Sequence, residues 1–231
     1  QVAEAGRNQQ RFLANAAHQI RTPLAGLQAH TELALAQPAP EAVRAELEQV
    51  RAATARTARL ANQLLALARA EPGGSRADAF ARVDLRRMVE EVAEEWVRRA
   101  LGKEIDLGFE LEAAPVSGDA LLLREAFVNL LHNAIEYSPA GSRVTARSGV
   151  RDGRAFVEVD DEGPGIPQAE REQVLERFYR VPASPGTGSG LGLAIVREIA
   201  LAHGARVEIG EGSHGRGCRV TLRFPAAAGA K

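Results

Sequence analysis

Three clusters of residues in the second half of the sequence carry groups that could bind a phosphorylated ligand. The segment NLLHNAIEYSP, residues 129–139, places Asn129 and Asn133 four residues apart in a helical pattern, so both amides face one side, with Tyr137 a turn further on. Two neutral oxygen donors on one helix face could hold a hydrated Mg²⁺, which prefers oxygen ligands and keeps several waters. A simple helix-capping role for Asn133 is the alternative for this cluster alone.

The other two clusters are rich in glycine. In DDEGPGIP, residues 160–167, Asp161 ends a predicted strand just before Gly163 and Gly165, so its carboxylate could accept a hydrogen bond from an exocyclic amine. In PGTGSGLGLAIVREIA, residues 185–200, glycines precede an apolar helix whose N-terminal N–H groups could cradle phosphates. The spacing matches neither the Rossmann fingerprint nor a lysine-containing Walker A loop. An acidic loop and a glycine-rich linker are the alternatives.

A histidine in the first half of the chain is the candidate nucleophile. In NAAHQIRTPLAG, residues 15–26, His18 follows Ala17 of an apolar seam and lies on the flank of that seam, where a side chain can reach solvent. Pro23 removes a hydrogen bond in mid-helix and should bend or loosen that turn. An exposed imidazole beside a distortion suits a reactive histidine. A structural residue in an ordinary helix is the alternative.

Two predicted helices position this histidine. The seam runs from Leu13 to Ala34 in steps of three and four, residues 37–40 (QPAP) end it, and a second apolar run extends from Val43 to Leu67. The pattern predicts an antiparallel helical hairpin. Because one hairpin has little core of its own, a homodimer that forms a four-helix bundle is the economical arrangement. A lone hairpin packed on the second half of the chain is the alternative.

The composition of EPGGSRADA, residues 71–79, is typical of a linker, and the pattern beyond it predicts an α+β sandwich with helices on one face of a mixed sheet. The predicted elements are helices from Asp84 to about Ala100, from about Asp119 to Glu136 and from near Gly190, and strands at 105–111, 144–150, 154–160, 207–209 and 218–224. The predicted domains are residues 1–71, a linker at 72–80, and residues 81–231.

Composition excludes several classes of partner. A formal net charge of −1 gives no reason to expect nucleic acid or an anionic membrane surface as partner. The single cysteine, Cys218, excludes an intrachain disulfide and a cysteine-based metal cluster. No apolar run approaches the ~20 residues of a membrane span, so we expect no direct membrane contact by this fragment. The sequence begins at Gln1 rather than Met, and we expect a soluble piece of something longer.

The order of these motifs resembles the catalytic portion of the sensor histidine kinases of two-component signalling, from about Arg11 to Pro225. The matching segments are the phosphoacceptor box HQIRTP, the N box NLLHNAIEY, the first glycine box DEGPGIP, the F box LERFYR and the second glycine box GTGSGLGL. The segment HQIRTPLAG is similar to the corresponding segment of kinases related to the tricarboxylate-uptake sensors. The resemblance implies a dimerising histidine phosphotransfer domain followed by an ATP-binding α/β sandwich.

The resemblance also implies roles for individual residues. His18 would accept the γ-phosphate of ATP and pass it to an aspartate in the receiver domain of a response regulator, and Thr22 would orient water when the kinase dephosphorylates that partner. Asn133 would be the Mg²⁺ ligand. The implied ATP-binding residues are Asn129 and Asn133, Tyr137 on the adenine, Asp161 at its amino group, Gly163, Gly165 and Ile166 of the first glycine box, Arg180, and Gly188, Gly190, Gly192 and Leu193 of the second.

Two departures from the family pattern motivate an alternative function. Gln19 stands where the family has an acidic residue, and Glu136 stands where a lysine is common. A degenerate nucleotide-binding scaffold, or a phosphatase-dominant member with weak autokinase activity, is therefore the alternative. Asn129 argues against a plain ATPase, because an amide cannot act as the base that activates water. By family habit, we expect a cytoplasmic fragment of a protein anchored in the bacterial inner membrane.

Overall fold

The computed structural model describes residues 24–70, 80–182, 189–213 and 215–226. The chain divides into two compact units, Gln1–Gly74 and Ser75–Lys231. Within the described ranges, no helix combines the length and the apolar character that crossing a membrane requires.

The first unit consists of two helices in its described part. α1 extends over residues 24–35 and α2 over Glu41–Ala70, with Pro38 and Pro40 in the short connection between them. Thr31 of α1 and Thr54 of α2 are buried, and each hydroxyl donates to the carbonyl one turn earlier. Several larger aliphatic side chains are exposed: Leu27, Leu33, Val43, Val50 and Leu60. Exposed apolar side chains in such numbers are typical of helices that pack against another surface.

The second unit contains a five-stranded sheet and a two-stranded sheet. The strands are β1 (Ala81–Asp84), β2 (Asp106–Leu111), β3 (Pro115–Gly118), β4 (Arg143–Arg151), β5 (Arg154–Asp161), β6 (Arg206–Glu211) and β7 (Cys218–Arg223). The large sheet has the order β2-β4-β5-β7-β6, in which β2 and β4 are parallel and the other neighbours are antiparallel. β1 and β3 form the small antiparallel sheet, which the sequence pattern did not predict.

Three helices cover one face of the large sheet. They are α3 (Leu85–Leu101), α4 (Ala120–Tyr137) and α5 (Gly192–Ala202). Asp84 is the N-cap of α3, as predicted, and its side chain accepts the N–H of Arg86. Asp119 is the N-cap of α4, and its side chain accepts the N–H groups of Leu121 and Leu122. The core lies between helices and sheet, and its largest fully buried side chains include Phe127, Leu131, Ile195, Ile199, Val144, Val159 and Leu222. The predicted α/β sandwich is confirmed.

The other face of the sheet carries a buried network of charges. Because side chains alternate along β5, Glu158 and Asp160 point away from the helices, and they are only 3% and 6% exposed. Nη1 of Arg147 lies 3.3 Å from Glu158 Oε1 and 3.0 Å from Asp160 Oδ2, and Nε of Arg219 lies 3.5 Å from the same Asp160 oxygen. The hydroxyl of Thr221 donates to Glu158 Oε2 at 2.7 Å. These partners satisfy two carboxylates that would otherwise be costly to bury.

The end of α5 is tied to the start of α4 by His203. Its Nε2 accepts the backbone N–H of Asp119 at 3.0 Å, and its Nδ1 lies 2.7 Å from the carbonyl oxygen of Ile199. A ring that accepts at Nε2 and meets a carbonyl at Nδ1 is the neutral tautomer protonated at Nδ1. The ring also stacks on Phe80, with centroids 4.9 Å apart. The hydrogen bond between His203 and Asp119 fixes how α4 and α5, which frame the candidate site, lie against each other.

Candidate functional site

The two asparagines of α4 lie on one side of the helix. Asn129 is 5% exposed, and its Nδ2 donates to the backbone oxygen of Glu125 at 2.9 Å and to Oε1 of Glu125 at 3.2 Å. These two bonds orient the amide, with Nδ2 held by the preceding turn. Asn133 is half-buried one turn further on. The helix therefore holds two amides side by side, as their spacing predicts.

The neighbour of both amides is Gly192, the first residue of α5. A Cβ placed on Gly192 would lie 3.1 Å from both amide atoms of Asn133 and 3.5 Å from Oδ1 of Asn129. The residue before α5, Leu191, makes no side-chain capping bond to the helix. The first turn of α5 therefore brings backbone N–H donors and the positive end of a helix dipole beside two amides.

Asp161 ends β5 on the face that carries the helices. Its Oδ1 accepts hydrogen bonds from the backbone N–H of Gly163 at 2.8 Å and of Cys218 at 3.1 Å. Burial raises the pKa of Asp161 to about 6; these two hydrogen bonds work against that rise, and the neighbouring charge of Asp160 adds to it. Since both backbone donors contact Oδ1, Oδ2 is the oxygen that could accept a hydrogen bond from a ligand amine.

Gly163 and Gly165 lie where three segments meet without room for side chains. A Cβ on Gly163 would be 2.9 Å from Oδ1 of Asp161 and 3.2 Å from the backbone oxygen of Tyr137. Gly165 has a φ of +76°, and a Cβ there would be 2.9 Å from the carbonyl oxygen of Gly217. The end of α4, the end of β5 and the turn between β6 and β7 are thus in close contact.

The chain leaves this junction through two short 3₁₀ turns, Gln168–Glu170 and Gln173–Leu175. Nε of Arg171 donates to the backbone oxygen of Ile166 at 3.3 Å, which ties the first of these turns to the glycine box. Arg180, at the end of the segment, is half-buried.

The segment then contacts the start of α5. The N–H of Phe178 donates to the carbonyl oxygen of Gly190 at 2.9 Å, although the Phe178 side chain is 69% exposed. Gly190 has a φ of +71°, outside the helical region, and α5 begins at Gly192, close to the predicted start near Gly190. Leu193 is half-buried in the first turn of the helix.

The structure brings several of the predicted site residues together in two groups. The described members with mutual contacts are Asn129, Asn133 and Gly192 in one group, and Tyr137, Asp161 and Gly163 in the other. Gly165 is linked to the second group through Gly217, which lies against Asp161. The predicted residues His18, Gln19, Thr22 and Gly188 lie outside the described residues. Their roles, and a phosphate contact by Arg180, stay predictions.

Sequence reasoning did not predict that the glycine-rich turn between β6 and β7 contacts Asp161, which it does through Gly217 and Cys218. A signal was present, because residues 210–217 carry a glycine at every second or third position between two strands. Such spacing marks a place where another backbone approaches closely. Nothing local in the sequence indicates which backbone that is.

The donors on α4 fit a magnesium ion better than a metal bound by protein side chains alone. Among the described residues, no group of three or more His, Cys, Asp and Glu side chains is arranged to hold a metal ion. Amide oxygens are neutral ligands that suit Mg²⁺, whose remaining positions are filled by water and ligand phosphates. The amide of Asn133, beside the start of α5, could supply one such ligand.

Comparison with known proteins identifies the class of this fold and site. Residues 118–228 match the family described as histidine kinase-, DNA gyrase B- and HSP90-like ATPases, and residues 8–73 match the His kinase A (phospho-acceptor) domain. The phospho-acceptor domain therefore precedes the ATPase domain along this chain. The chain belongs to the sensor histidine kinase family.

Individual relatives and solved structures support this family assignment. The sensor protein kinase PmrB of Pseudomonas aeruginosa is 39% identical over 94% of this chain and 46% of its own length. The solved structure of the mycobacterial sensor histidine kinase MprB is 35% identical, covers 63% of this chain and 97% of that chain, and has a TM-score of 0.56. Full-length ShkA in complex with AMPPNP is 28% identical over 96% of this chain and 47% of that chain, with a TM-score of 0.70. The chain spans less than half the length of PmrB.

Proposed function

We propose that this chain transfers the γ-phosphate of Mg²⁺-bound ATP to His18 and then to an aspartate in the receiver domain of a response regulator. The observation that carries the proposal is the contact of Gly192 with the amides of Asn133 and Asn129. It joins the helix that would hold the metal to the helix start that would hold the phosphates. The residue types on both sides suit a magnesium–triphosphate ligand.

The base of the nucleotide would bind at the other group of site residues. Oδ2 of Asp161 accepts a hydrogen bond from the adenine amino group, because its Oδ1 already accepts two backbone N–H groups. Tyr137 packs on the adenine, and Gly163 and Gly165 allow the backbone segments around Asp161 to approach closely. The raised pKa of Asp161, about 6, still leaves the carboxylate mostly ionised at pH 7 and able to accept.

Asn133 would hold Mg²⁺, and Asn129 would lie beside the phosphates. When bound, the metal neutralises charge on the phosphate oxygens. The N–H groups of Gly190 and Gly192 and the dipole of α5 face the same charge. Positioning and charge neutralisation are the main requirements of phosphoryl transfer, so neutral amides and backbone donors are sufficient for the binding role.

His18 would attack the γ-phosphorus with a ring nitrogen, forming an N–P bond as the bond to the β,γ-bridging oxygen breaks and ADP leaves. An ordinary imidazole is mostly neutral at pH 7 and has a lone pair for this attack. Gln19 can accept a hydrogen bond from the ring but cannot stabilise positive charge on it, so the step is slower than with an acidic neighbour.

Two copies of the helical hairpin would pair, and the response regulator would dock on the resulting bundle. The exposed aliphatic side chains Leu27, Val43 and Val50 provide apolar surface for pairing. Thr22 would orient the water that removes phosphate from the regulator. The complete protein would be anchored in the bacterial inner membrane, outside the segment described above.

The test is transfer of radiolabelled γ-phosphate from Mg²⁺-ATP to the purified chain. We expect label that is lost in acid and survives alkali, and that is absent from His18→Ala and Asn133→Ala. His30→Ala is the matched control, since His30 is exposed on α1 and should leave labelling intact. Label that persists in His18→Ala would contradict the proposal, and so would an unlabelled chain that still binds ATP.

A further inference from the structure

Residues of the turn between β6 and β7 form hydrogen bonds with the acidic residues on either side of Asp161. Ser213 donates its backbone N–H to Oδ1 of Asp160 at 3.1 Å and its hydroxyl to Oδ2 of the same carboxylate. Nη2 of Arg216 donates to Oε2 of Glu162 at 2.8 Å. The two side chains of the turn thus hold the residues immediately before and after the candidate adenine-binding aspartate.

Asp161 itself is held by backbone groups. The pairing of β5 with β7 ends where Asp160 lies opposite Arg219, and the next N–H of β7, that of Cys218, donates to the side chain of Asp161. The N–H of Gly163 donates to the same oxygen, Oδ1. One carboxylate oxygen is therefore fixed from both sides, which sets the rotation of the carboxylate and the direction of Oδ2.

The turn also lies directly against the backbone of Asp161. Gly217 has a φ of +80°, and a Cβ on it would overlap the carbonyl oxygen of Asp161. A Cβ on Gly212 would lie 2.8 Å from that oxygen. Only glycine, which has no Cβ, allows the two backbones to approach this closely. Because they are in direct contact, a shift of the turn displaces Asp161 as well.

We propose that this turn, which we call the clasp (Gly212, Ser213, Arg216 and Gly217), positions the carboxylate of Asp161 for the amino group of adenine. Ser213 and Arg216 are positioning residues that act through the acids beside Asp161. The inference rests on the proposed function, because it takes Asp161 as the adenine-binding residue. It adds that adenine selectivity depends on a turn outside the five boxes of the family pattern.

The clasp acts on the base and not on the phosphates. The phosphate contacts come from α4 and α5 through Asn133 and Gly192, which the clasp does not touch in any contact described above. Loosening the clasp lets Oδ2 of Asp161 turn away from the amino group and leaves the phosphate subsite in place. The resulting loss of affinity depends on whether the ligand carries the amino group.

The experiment compares binding of ATP and of purine riboside 5′-triphosphate, which has hydrogen in place of the amino group. Both are titrated calorimetrically, with Mg²⁺, into the full chain. We expect Ser213→Ala to bind ATP about three- to tenfold more weakly, the range of one hydrogen bond, with binding of the analogue unchanged. Arg216→Gln should act in the same direction and less strongly, because its ion pair with Glu162 is largely exposed on the arginine side. Ser213→Thr should restore selectivity.

Thr221→Val is the matched control. Its hydroxyl also donates to a buried carboxylate of β5 on the same face, that of Glu158, but outside the clasp. It should lower thermal stability and leave the ratio of the two affinities unchanged.

Three results would overturn the inference. If Ser213→Ala weakens both nucleotides equally, its role is structural. If the unsubstituted chain binds ATP more tightly than the analogue and Ser213→Ala keeps that preference, the clasp does not position Asp161. Asp161 would then still recognise the amino group of adenine. If the unsubstituted chain shows no preference for ATP, the adenine role of Asp161 in the proposed function fails together with the clasp.

Discussion

Phe178 and Gly190 are joined by a 2.9 Å hydrogen bond from the N–H of Phe178 to the carbonyl oxygen of Gly190, and both have positive φ, 66° and 71°. An exposed phenylalanine with positive φ is strained, so the pairing must be held by its surroundings. This pair connects the segment after the first glycine box to the entry of α5. It makes Gly190 a structural requirement as well as a predicted phosphate contact.

Gly190→Ala should therefore be far more disruptive than its backbone conformation alone explains. A Cβ at this position would lie 2.7 Å from the carbonyl carbon of Phe178. Gly153→Ala is the matched control, because Gly153 has a similar φ of +68° and nothing within 4 Å of its Cβ. We expect a loss of about 1 kcal/mol in the free energy of unfolding for the control, and clearly more for Gly190→Ala together with weakened ATP binding. If urea titrations gave equal losses of unfolding free energy for Gly190→Ala and Gly153→Ala, the expected clash with Phe178 would be refuted.

Gly192→Ala should separate nucleotide binding from stability. Its Cβ would approach both amide atoms of Asn133 to 3.1 Å, within the group that we assign to the metal and phosphates, while alanine is the better helix former. We expect severalfold weaker binding of Mg²⁺-ATP with little change in melting temperature. Gly26→Ala in α1, with nothing within 4 Å of its Cβ, is the control and should leave ATP binding unchanged. Unchanged affinity in Gly192→Ala would mean that Asn133 moves aside freely.

Asp161→Asn should stabilise the chain while removing the proposed adenine-binding carboxylate. Burial raises the pKa of Asp161 from 3.8 to about 6, so the folded state holds a proton that the unfolded state has already released between these pH values. Stability is therefore lost as the pH rises towards 6, and the cost above pH 6 is about 1–3 kcal/mol.

The asparagine carries no charge, and its Oδ1 can still accept the N–H groups of Gly163 and Cys218. We expect a higher free energy of unfolding than that of the unsubstituted chain at pH 8, a difference that shrinks at pH 4, and weaker ATP binding. Urea titrations at the two pH values measure it, and a gain that is the same at both would contradict the raised pKa.

Lys103 should stabilise the end of α4. Its Nζ lies 2.7 Å from the carbonyl oxygen of Ile135 and 2.5 Å from that of Glu136, at the end of the helix where carbonyls lack partners within the helix. Lys103→Ala should lower the free energy of unfolding by about 1.5–3 kcal/mol, the range for hydrogen bonds to a charged group. Lys103→Arg keeps the charge and should lose less. If both variants lose equally, the geometry of the ammonium group matters more than its charge.

Gln19→Glu should accelerate autophosphorylation. A carboxylate beside His18 would stabilise the positive charge that develops on the ring during attack, which an amide cannot do. The initial rate of acid-labile labelling at saturating ATP measures the effect. Gln19→Ala serves as the comparison that removes the hydrogen bond altogether. An equal or lower rate in Gln19→Glu would show that the family's acidic residue has another purpose.

Local patterns in the sequence were enough to predict α3 and its N-cap Asp84, because helical spacing and capping residues act within a few positions. They failed for β1 and β3, which are only four residues long and pair with each other across α3 and β2. The clasp was missed for a related reason. Ser213 bonds to a carboxylate 53 residues earlier, and no local pattern specifies contacts at that separation.

Asp160 and Asp161 are adjacent and chemically identical, and the alternation of β5 gives them opposite surroundings. Burial works against the charge of Asp160, but hydrogen bonds from Ser213 and Arg147 outweigh it and hold that pKa below its usual value, whereas burial raises the pKa of Asp161. Removing one residue between Phe156 and Asp160 would move each of the two aspartates to the opposite face of the sheet. The strand can therefore accept many substitutions but no change in length, and natural insertions and deletions in relatives of this chain should avoid β5 and fall in the turns at its ends.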